Sequence, residues 1–325
     1  MEDRLDDLPA LFKDSHSAHC KRCLMGLPSS STDLDASRLV VIFYCINALD
    51  LLGLLSEKTT KADREAWRDW IWRRHTFGVY GSGFKPSSYM SIEHPSESYK
   101  GYDTPHLIMT YTALLSLAVL RDDFSKLDRK GLINFLRSCQ KEDGSFSTIP
   151  NGGETDLRTL YCAFVISMML DDWSGIDIPR AISFIKKCRT HEGGYGQFPL
   201  CEAHGGTTYI AVASLYLVPN ELKAIPEIMS ALEREETIRW LIQNQEPSGG
   251  FRGRTGKEAD ACYCFWCGAA LQILGAKDLV NVTGLARFLG RCQFKYGGFS
   301  KAPGEHAGTY KLHPTVLLVP FISYG

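Results

Sequence analysis

Apolar positions along the chain fall into two kinds of run that alternate. The first is amphipathic: Leu132, Phe135, Leu136 and Cys139 recur at i, i+3, i+4 and i+7, the period of one helical face. The second is apolar nearly throughout, as in LRTLYCAFVISMML and TTYIAVASLYLV. Between the two kinds stands glycine followed by an aromatic residue. Four 15-residue segments align without gaps, at 132–146, 181–195, 237–251 and 285–299, with starts 49, 56 and 48 residues apart. Each carries an aromatic at the same point (Phe135, Phe184, Trp240, Phe288), then an aliphatic, and ends on Phe146, Tyr195, Phe251 or Phe299. The aromatic-rich WRDWIWRR before Gly83-Phe84 is a more divergent copy.

This period predicts helix, glycine turn, helix. Glycine supplies the positive φ that ends the first helix. The second helix is too apolar to hide its faces within one hairpin, so the hairpins must stack. The fold expected is all-α. A closed ring and an open solenoid both satisfy the spacing.

Bulk properties narrow the setting. The chain has 325 residues, 44% of them hydrophobic, which is enough for a sizeable core. Lys and Arg total 36 against 37 Asp and Glu, a net charge of −1 that gives no pull toward nucleic acid or anionic membrane. The acidic start lacks the apolar region of a secretory signal, and no run is long enough to predict a transmembrane helix. The 11 cysteines are scattered and odd in number, as expected of reduced thiols in the cytoplasm. Cys20-x-x-Cys23 has no second CxxC to complete a zinc knuckle and reads as unremarkable.

If the hairpins stack, the loops leading into each second helix share one rim, and the unusual polar residues collect there. Asp156 and Arg158 precede or begin one apolar helix; His204, Gly205 and Gly206 begin another. In GFRGRTGKEADACYCFWCGA, Arg252, Arg254 and Lys257 cluster before a helix start, whose free N–H groups add positive charge suited to a diphosphate. A solvated loop is the bland reading of the same run. Asp260-x-Cys262 offers a carboxylate and a thiolate, a donor pair that fits zinc. Cys264 and Cys267 read as packed core thiols. Arg158 would be costly to bury unpaired. Its bland partner is Asp156, and its functional partner is an anionic substrate group.

These motifs in this order resemble the beta subunits of protein prenyltransferases, most closely the type I geranylgeranyl enzymes. The resemblance runs from about His19 to His306 and rests on SRLVVIFYCINALDLL, YDTPHLIMTYTAL, QKEDGSF, DLRTLYCA, AHGGTTYIAVASL, GFRGRTGKEADACYCFW and GGFSKAPGEH. It implies an α–α toroid around a funnel, with domains at 1–36 (N-terminal segment with short helices), 37–306 (toroid repeats) and 307–325 (atypical tail). It implies transfer of an isoprenoid from its diphosphate to a Cys thiol of C-terminal CaaX motifs, as in small GTPases, with zinc as cofactor. It gives catalytic roles to Asp260, Cys262 and Lys301, of which Asp260 and Cys262 are zinc ligands. His204, Gly205, Gly206, Arg254, Lys257, Tyr263 and Trp266 hold the isoprenoid diphosphate by the same matching, and Arg158 lies near the peptide carboxylate. An alpha subunit, a separate helical-repeat chain, is implied as obligate partner.

Two positions in the resemblance bear on the donor. Farnesyl enzymes carry an Asp where this chain has Lys301, and use it with magnesium; a lysine implies no magnesium requirement. They also narrow the funnel with a Trp where this chain has Val40, which leaves room for a 20-carbon donor, geranylgeranyl diphosphate. The tail departs from the pattern. The family's third zinc ligand, in a His-x-Tyr segment, falls at Lys311, and His313 is the candidate substitute; the last hairpin is expected to be incomplete. Competing readings are a non-catalytic ring that binds an alpha-type partner or lipid, a farnesyl or Rab-type beta subunit, and a terpene cyclase, whose Asp-x-Asp-Asp motif is absent here.

Overall fold

The structure is a computed structural model that describes residues 10–27, 29–86, 104–222 and 228–304. His306, Lys311, His313 and the rest of the tail lie outside the described residues. The helices are α1 (Lys13–Met25), α2 (Arg38–Leu51), α3 (Leu55–Lys58), α4 (Lys61–Trp72), α5 (Leu107–Val119), α6 (Arg129–Cys139), α7 (Leu157–Leu170), α8 (Ile178–Lys187), α9 (Gly205–Leu217), α10 (Ala231–Gln243), α11 (Ala261–Ile273) and α12 (Val282–Cys292). A 3-10 segment, Ser29–Ser37, leads into α2.

The amphipathic runs form the outer layer. In α6, Leu132, Phe135, Leu136 and Cys139 are all fully buried, as their spacing predicts. The apolar runs form the inner layer, where α2, α5, α7, α9 and α11 pack each against the next. Among the described residues this gives five inner helices and six outer ones: α1, α4, α6, α8, α10 and α12. Outer helices start with side-chain caps, Asp128, Asp177, Ser230 and Asn281, each accepting the backbone N–H of the third residue of its helix.

The glycine turns decide between ring and solenoid. Each turn glycine after an outer helix touches the next outer helix so closely that a Cβ there would meet backbone: Arg180 O for Gly144, Glu236 O for Gly193 and the Gly284 carbonyl for Gly249. The turn after α12 repeats the contact through Gly297, whose neighbour is Ser15 O of α1. A glutamine clamp repeats in step. Gln140 exchanges two hydrogen bonds with the backbone of Asp177 (2.7 and 3.0 Å), and Gln245 does the same with Asn281 (2.9 and 3.1 Å). Gln293 accepts from Phe12 N at 2.8 Å and donates to Ala10 O at 3.0 Å. The N-terminal helix is therefore the outer helix that follows α12. It packs in turn on α2, the first inner helix, so the ring closes between α12 and α1.

Two short antiparallel hairpins stand in the turns of the helical ring. β1 (His75–Gly78) pairs with β2 (Gly81–Phe84), His75 opposite Phe84. β3 (Ser147–Ile149) pairs with β4 (Gly152–Thr155), Ser147 opposite Thr155. Asn151, in the turn of the second hairpin, adopts positive φ. Cys264 and Cys267 are fully buried, as expected of core thiols, and no disulfide links the 11 cysteines. Among the described residues no helix is long and apolar enough to cross a membrane.

Candidate active site

All the inner helices begin on the rim that carries the glycine turns. The residue that starts each of the last three is also one of the polar residues singled out above. Asp156 accepts the Arg158 amide at 2.7 Å to begin α7, His204 Nδ1 accepts the Gly206 amide at 3.2 Å to begin α9, and Asp260 accepts the Cys262 amide at 2.9 Å to begin α11. Helix capping thus brings these side chains to one end of the ring.

Below the rim lies a cavity of about 750 Å³, inside the ~300–1,000 Å³ range of small-molecule sites. Its wall is an aromatic ladder that runs helix to helix: Phe43 to Tyr111 (5.9 Å between ring centroids), Tyr111 to Tyr161 (6.0 Å), Tyr161 to Tyr209 (6.0 Å) and Tyr209 to Phe265 (5.5 Å). Burial pushes the Tyr44, Tyr111, Tyr161 and Tyr209 phenols upward, Tyr44 to about 12, so the wall stays neutral. The wall was not singled out from the sequence, although a signal exists. Tyr111, Tyr161, Tyr209 and Phe265 each stand five residues after the residue that starts their helix, His106, Asp156, His204 and Asp260. Val40 also lines this cavity.

At the mouth, His204 Nε2 lies 2.7 Å from the Tyr263 hydroxyl. Because Nδ1 accepts from an amide, Nε2 carries the proton and donates to Tyr263. The phenol's own hydrogen is then left for a ligand. Burial, followed by the Arg254 charge, pulls the His204 pKa down, which keeps this neutral form. Burial also pushes Tyr263 to about 12. Gly253 and Gly205 make the arrangement possible: a Cβ on Gly253 would sit 2.3 Å from the Tyr263 ring, and one on Gly205 would sit 2.7 Å from Cys267 Sγ. The Gly205 amide donates to Gly253 O at 2.7 Å, fixing the two loops together. Arg254 lines the cavity and donates to Glu202 at 2.8 Å; both side chains are about half exposed, so this pair is weak and readily exchanged for another anion. Gly206 and Trp266 also line the cavity. Lys257 is exposed on the same loop, three residues from Arg254, and is not part of the lining.

Asp260 is 9% exposed, and Cys262, the second residue of α11, is half-buried. Cys262 faces the cavity wall closely enough for its charge to help raise Tyr44, after burial. The Lys301 carbonyl accepts the Ala261 amide at 2.8 Å, which pins the Lys301 segment beside the start of α11. A nearly buried carboxylate next to a half-buried thiol is a donor set that fits zinc. Among the described residues no third His, Cys, Asp or Glu joins them, and the candidate His313 lies outside the described residues.

Arg158 lines the cavity and has the bland partner anticipated for it. Its guanidinium donates to Asp156 at 2.6 and 2.9 Å and to Glu154 at 2.8 Å. Gln197 donates to the same Asp156 carboxylate at 2.6 Å, so Arg158 is held over the cavity by a buried anchor. His106, which precedes α5 on the same rim, was missed by the sequence reading. Its ring Nδ1 is buried without a hydrogen-bond partner among the described residues, and burial lowers its pKa to about 4.

Comparison with known proteins agrees with this geometry. The family model "Prenyltransferase alpha-alpha toroid domain" matches residues 11–318. The chain is 36% identical to the geranylgeranyl transferase type-1 subunit beta of Arabidopsis thaliana, over 92% of this chain and 81% of that one. It is 37% identical to the protein of the same description from Dictyostelium discoideum, over 88% of this chain and 83% of that one. Among solved structures it superposes on Candida albicans protein geranylgeranyltransferase-I complexed with GGPP at a TM-score of 0.82 and 26% identity, covering 96% of this chain and 91% of that one. A ring of outer and inner helices, a cavity at its centre and relatives of this kind lead to one conclusion: the chain belongs to the prenyltransferase alpha-alpha toroid family, among the beta subunits of protein prenyltransferases.

Proposed function

We propose that this chain is the beta subunit of a type I protein geranylgeranyltransferase, which moves a 20-carbon isoprenoid from its diphosphate to the Cys thiol of a C-terminal CaaX tail. The observation that carries the reading is the meeting of an aromatic-walled cavity with Arg254 and the His204–Tyr263 donor pair at its mouth, beside Asp260 and Cys262. An apolar chain fits the first and a diphosphate the second. The substrate sulfur attacks C1 of the isoprenoid, the C1–O bond breaks, and the diphosphate leaves with the electron pair. Arg254, Lys257 and the Tyr263 hydroxyl offset the charge that grows on the leaving group. Glu202 gives up or shares Arg254 as the diphosphate arrives. Zinc, held by Asp260 and Cys262, would supply the positive charge that lowers the pKa of the substrate thiol. Arg158, anchored by Asp156, faces the peptide's carboxylate end. An alpha-type helical-repeat subunit completes the enzyme, and the 11 cysteines without a disulfide suit the reducing cytoplasm.

Val40 tests the donor size. Val40→Trp adds a bicyclic ring to the cavity wall and is expected to shift the ratio of 20-carbon to 15-carbon transfer by ~10-fold or more toward the shorter donor. Paired transfer assays with geranylgeranyl and farnesyl diphosphate read this ratio, and an unchanged ratio removes Val40 as a gauge of chain length. Lys301 tests the metal dependence. Wild-type transfer should be indifferent to magnesium, whereas Lys301→Asp should slow it and make added magnesium stimulatory. Loss of wild-type activity on magnesium chelation, with zinc maintained, would instead support the farnesyl-type reading.

A further inference from the structure

The seam that closes the ring is built differently from the junctions within the chain. At the α6–α8 and α10–α12 junctions a glycine and a glutamine join the turn to the next outer helix. At the closing seam α1 adds an imidazole. His16 Nδ1 accepts the Gly298 amide at 3.0 Å, so the imidazole is neutral and Nε2 donates its proton to Gln293 Oε1 at 3.1 Å. The same oxygen accepts from Phe12 N at 2.8 Å. The imidazole lies flat on Phe299, with centroids 4.7 Å and planes 4° apart, and His16 is 5% exposed. Phe299 stands two residues before Lys301, whose carbonyl accepts the Ala261 amide at 2.8 Å. One buried side chain therefore grips the last turn, and that turn carries the backbone that meets the start of α11.

We propose that neutral His16 is a pH-sensitive latch that closes the ring between α1 and the last turn, and that its protonation opens the seam and loosens the Lys301 segment. A proton on Nδ1 sets one N–H donor against another. The bond from Gly298 is lost and two donors are left facing each other, while the Nε2 bond to Gln293 persists. Neither side has room to turn away. Gly297, the residue before Gly298, approaches α1 so closely that a Cβ there would stand 2.1 Å from Ser15 O, and the stack on Phe299 fixes the imidazole plane. The consequence for transfer rests on the function proposed above; the latch itself does not.

The charged groups on the surrounding elements are engaged elsewhere or exposed. Asp14 pairs with Lys58 (3.0 Å), which also holds Glu57 (3.1 Å). Arg22 donates to Tyr296 O at 2.7 Å, and Lys295 lies over the Tyr296 ring. Lys13 and Lys21 on α1, Arg38 and Asp50 on α2 and Arg291 on α12 are exposed, and Tyr44 of α2 lines the cavity. Cys20, Cys45 and Cys292 are buried thiols. His19, one turn along α1, lies 3.9 Å from Cys23 Sγ through its Nε2. Burial pulls the His16 pKa below its ordinary value; the Gln293 bond opposes this, and the His19 charge adds to it. The open seam therefore binds more protons than the closed one as pH falls through about 6.5, so closure is strongest above that pH and weakens below it.

The test is hydrogen exchange read by mass spectrometry on the full chain co-purified with its alpha-type partner, corrected for the intrinsic pH dependence of exchange. One unit below an open-state pKa near 6.5, protonation raises the open population about 10-fold. Between about pH 7.5 and about pH 5.5, peptides over 12–24 and 294–300 should lose about 10-fold in protection. The turns at 141–147 and 246–252, which hold no histidine, should not change. His16→Asn, whose Oδ1 still accepts from Gly298, should remove the pH dependence, and His19→Gln should keep it. His16→Phe keeps an aromatic ring on Phe299 without either hydrogen bond, and should lower the protection of 294–300 and of the Ala261 peptide already at neutral pH. Unchanged protection on acidification, an equal loss in the control turns, an undiminished pH effect in His16→Asn, or wild-type protection in His16→Phe would overturn the proposal. None of these readings depends on transfer, so failure of the latch and failure of the proposed function are separate results.

Discussion

Asp260→Asn should leave the ring intact and cost at least ~10²-fold in transfer, because the change removes a donor charge and keeps a helix cap. Asp260 has two jobs in this fold. It caps α11 through the Cys262 amide, and it faces the site with a carboxylate that is 9% exposed. Asparagine caps about as well as aspartate, so unfolding free energy should move by less than about 0.5 kcal/mol. Zinc content of the purified heterodimer should fall along with the rate. Cys262→Ser should behave in the same way, since a hydroxyl near neutral pH is a poor substitute for a thiolate. Metal analysis, equilibrium unfolding and transfer assays on the same preparations check this. A large loss of stability with unchanged zinc would mean that Asp260 is a cap and nothing more.

Gly249→Val should be the most damaging single change outside the site, at about 3 kcal/mol or more. Gly249 has φ near +89°, where a β-branched residue is strained, and any Cβ there would stand 2.0 Å from the Gly284 carbonyl carbon. The contact is the hinge between the turn after α10 and the outer helix α12, so neither backbone can yield without opening the ring. Gly256, with φ near +75° and open space around it, is the control: Gly256→Ala should cost about 1 kcal/mol, from backbone strain alone. Denaturant midpoints of the two variants, compared with wild type, read the difference. Equal costs would show that the close approach between repeats contributes nothing.

The repeats were readable because each outer helix, turn and aromatic anchor keeps one register over the four copies, and Phe146, Tyr195, Phe251 and Phe299 are all buried as that register requires. The capping residues Asp156, His204 and Asp260 were readable for a related reason: capping demands particular side chains at particular positions, and here those side chains also face the site. The closure of the ring was not readable from the local pattern. α1 buries His16, Ser17 and Cys20, not an apolar stripe, and its partner Gln293 lies 281 residues away from Phe12. Only three-dimensional proximity shows that the same glutamine clamp serves the closing junction as well as two within the chain. The two hairpins escaped for another reason. Strands such as GSGF and GGET are four residues long and rich in glycine, so neither alternation nor β propensity marks them.

The central claim is that this ring, with Arg254 and the His204–Tyr263 pair at the mouth of an aromatic cavity, transfers a 20-carbon isoprenoid to a protein thiol. The most direct measurement is single-turnover transfer by the chain co-expressed with an alpha-type subunit and supplied with zinc. The acceptors are a peptide ending in a Cys-a-a-Leu tail and its Cys→Ser counterpart, and the donors are geranylgeranyl and farnesyl diphosphate in competition. The account predicts a thioether product on the cysteine peptide alone, with the 20-carbon donor preferred at least ~10-fold and with Arg254→Ala slowing the step. Product formation with farnesyl diphosphate preferred, or no product from a folded, zinc-loaded heterodimer, would contradict it.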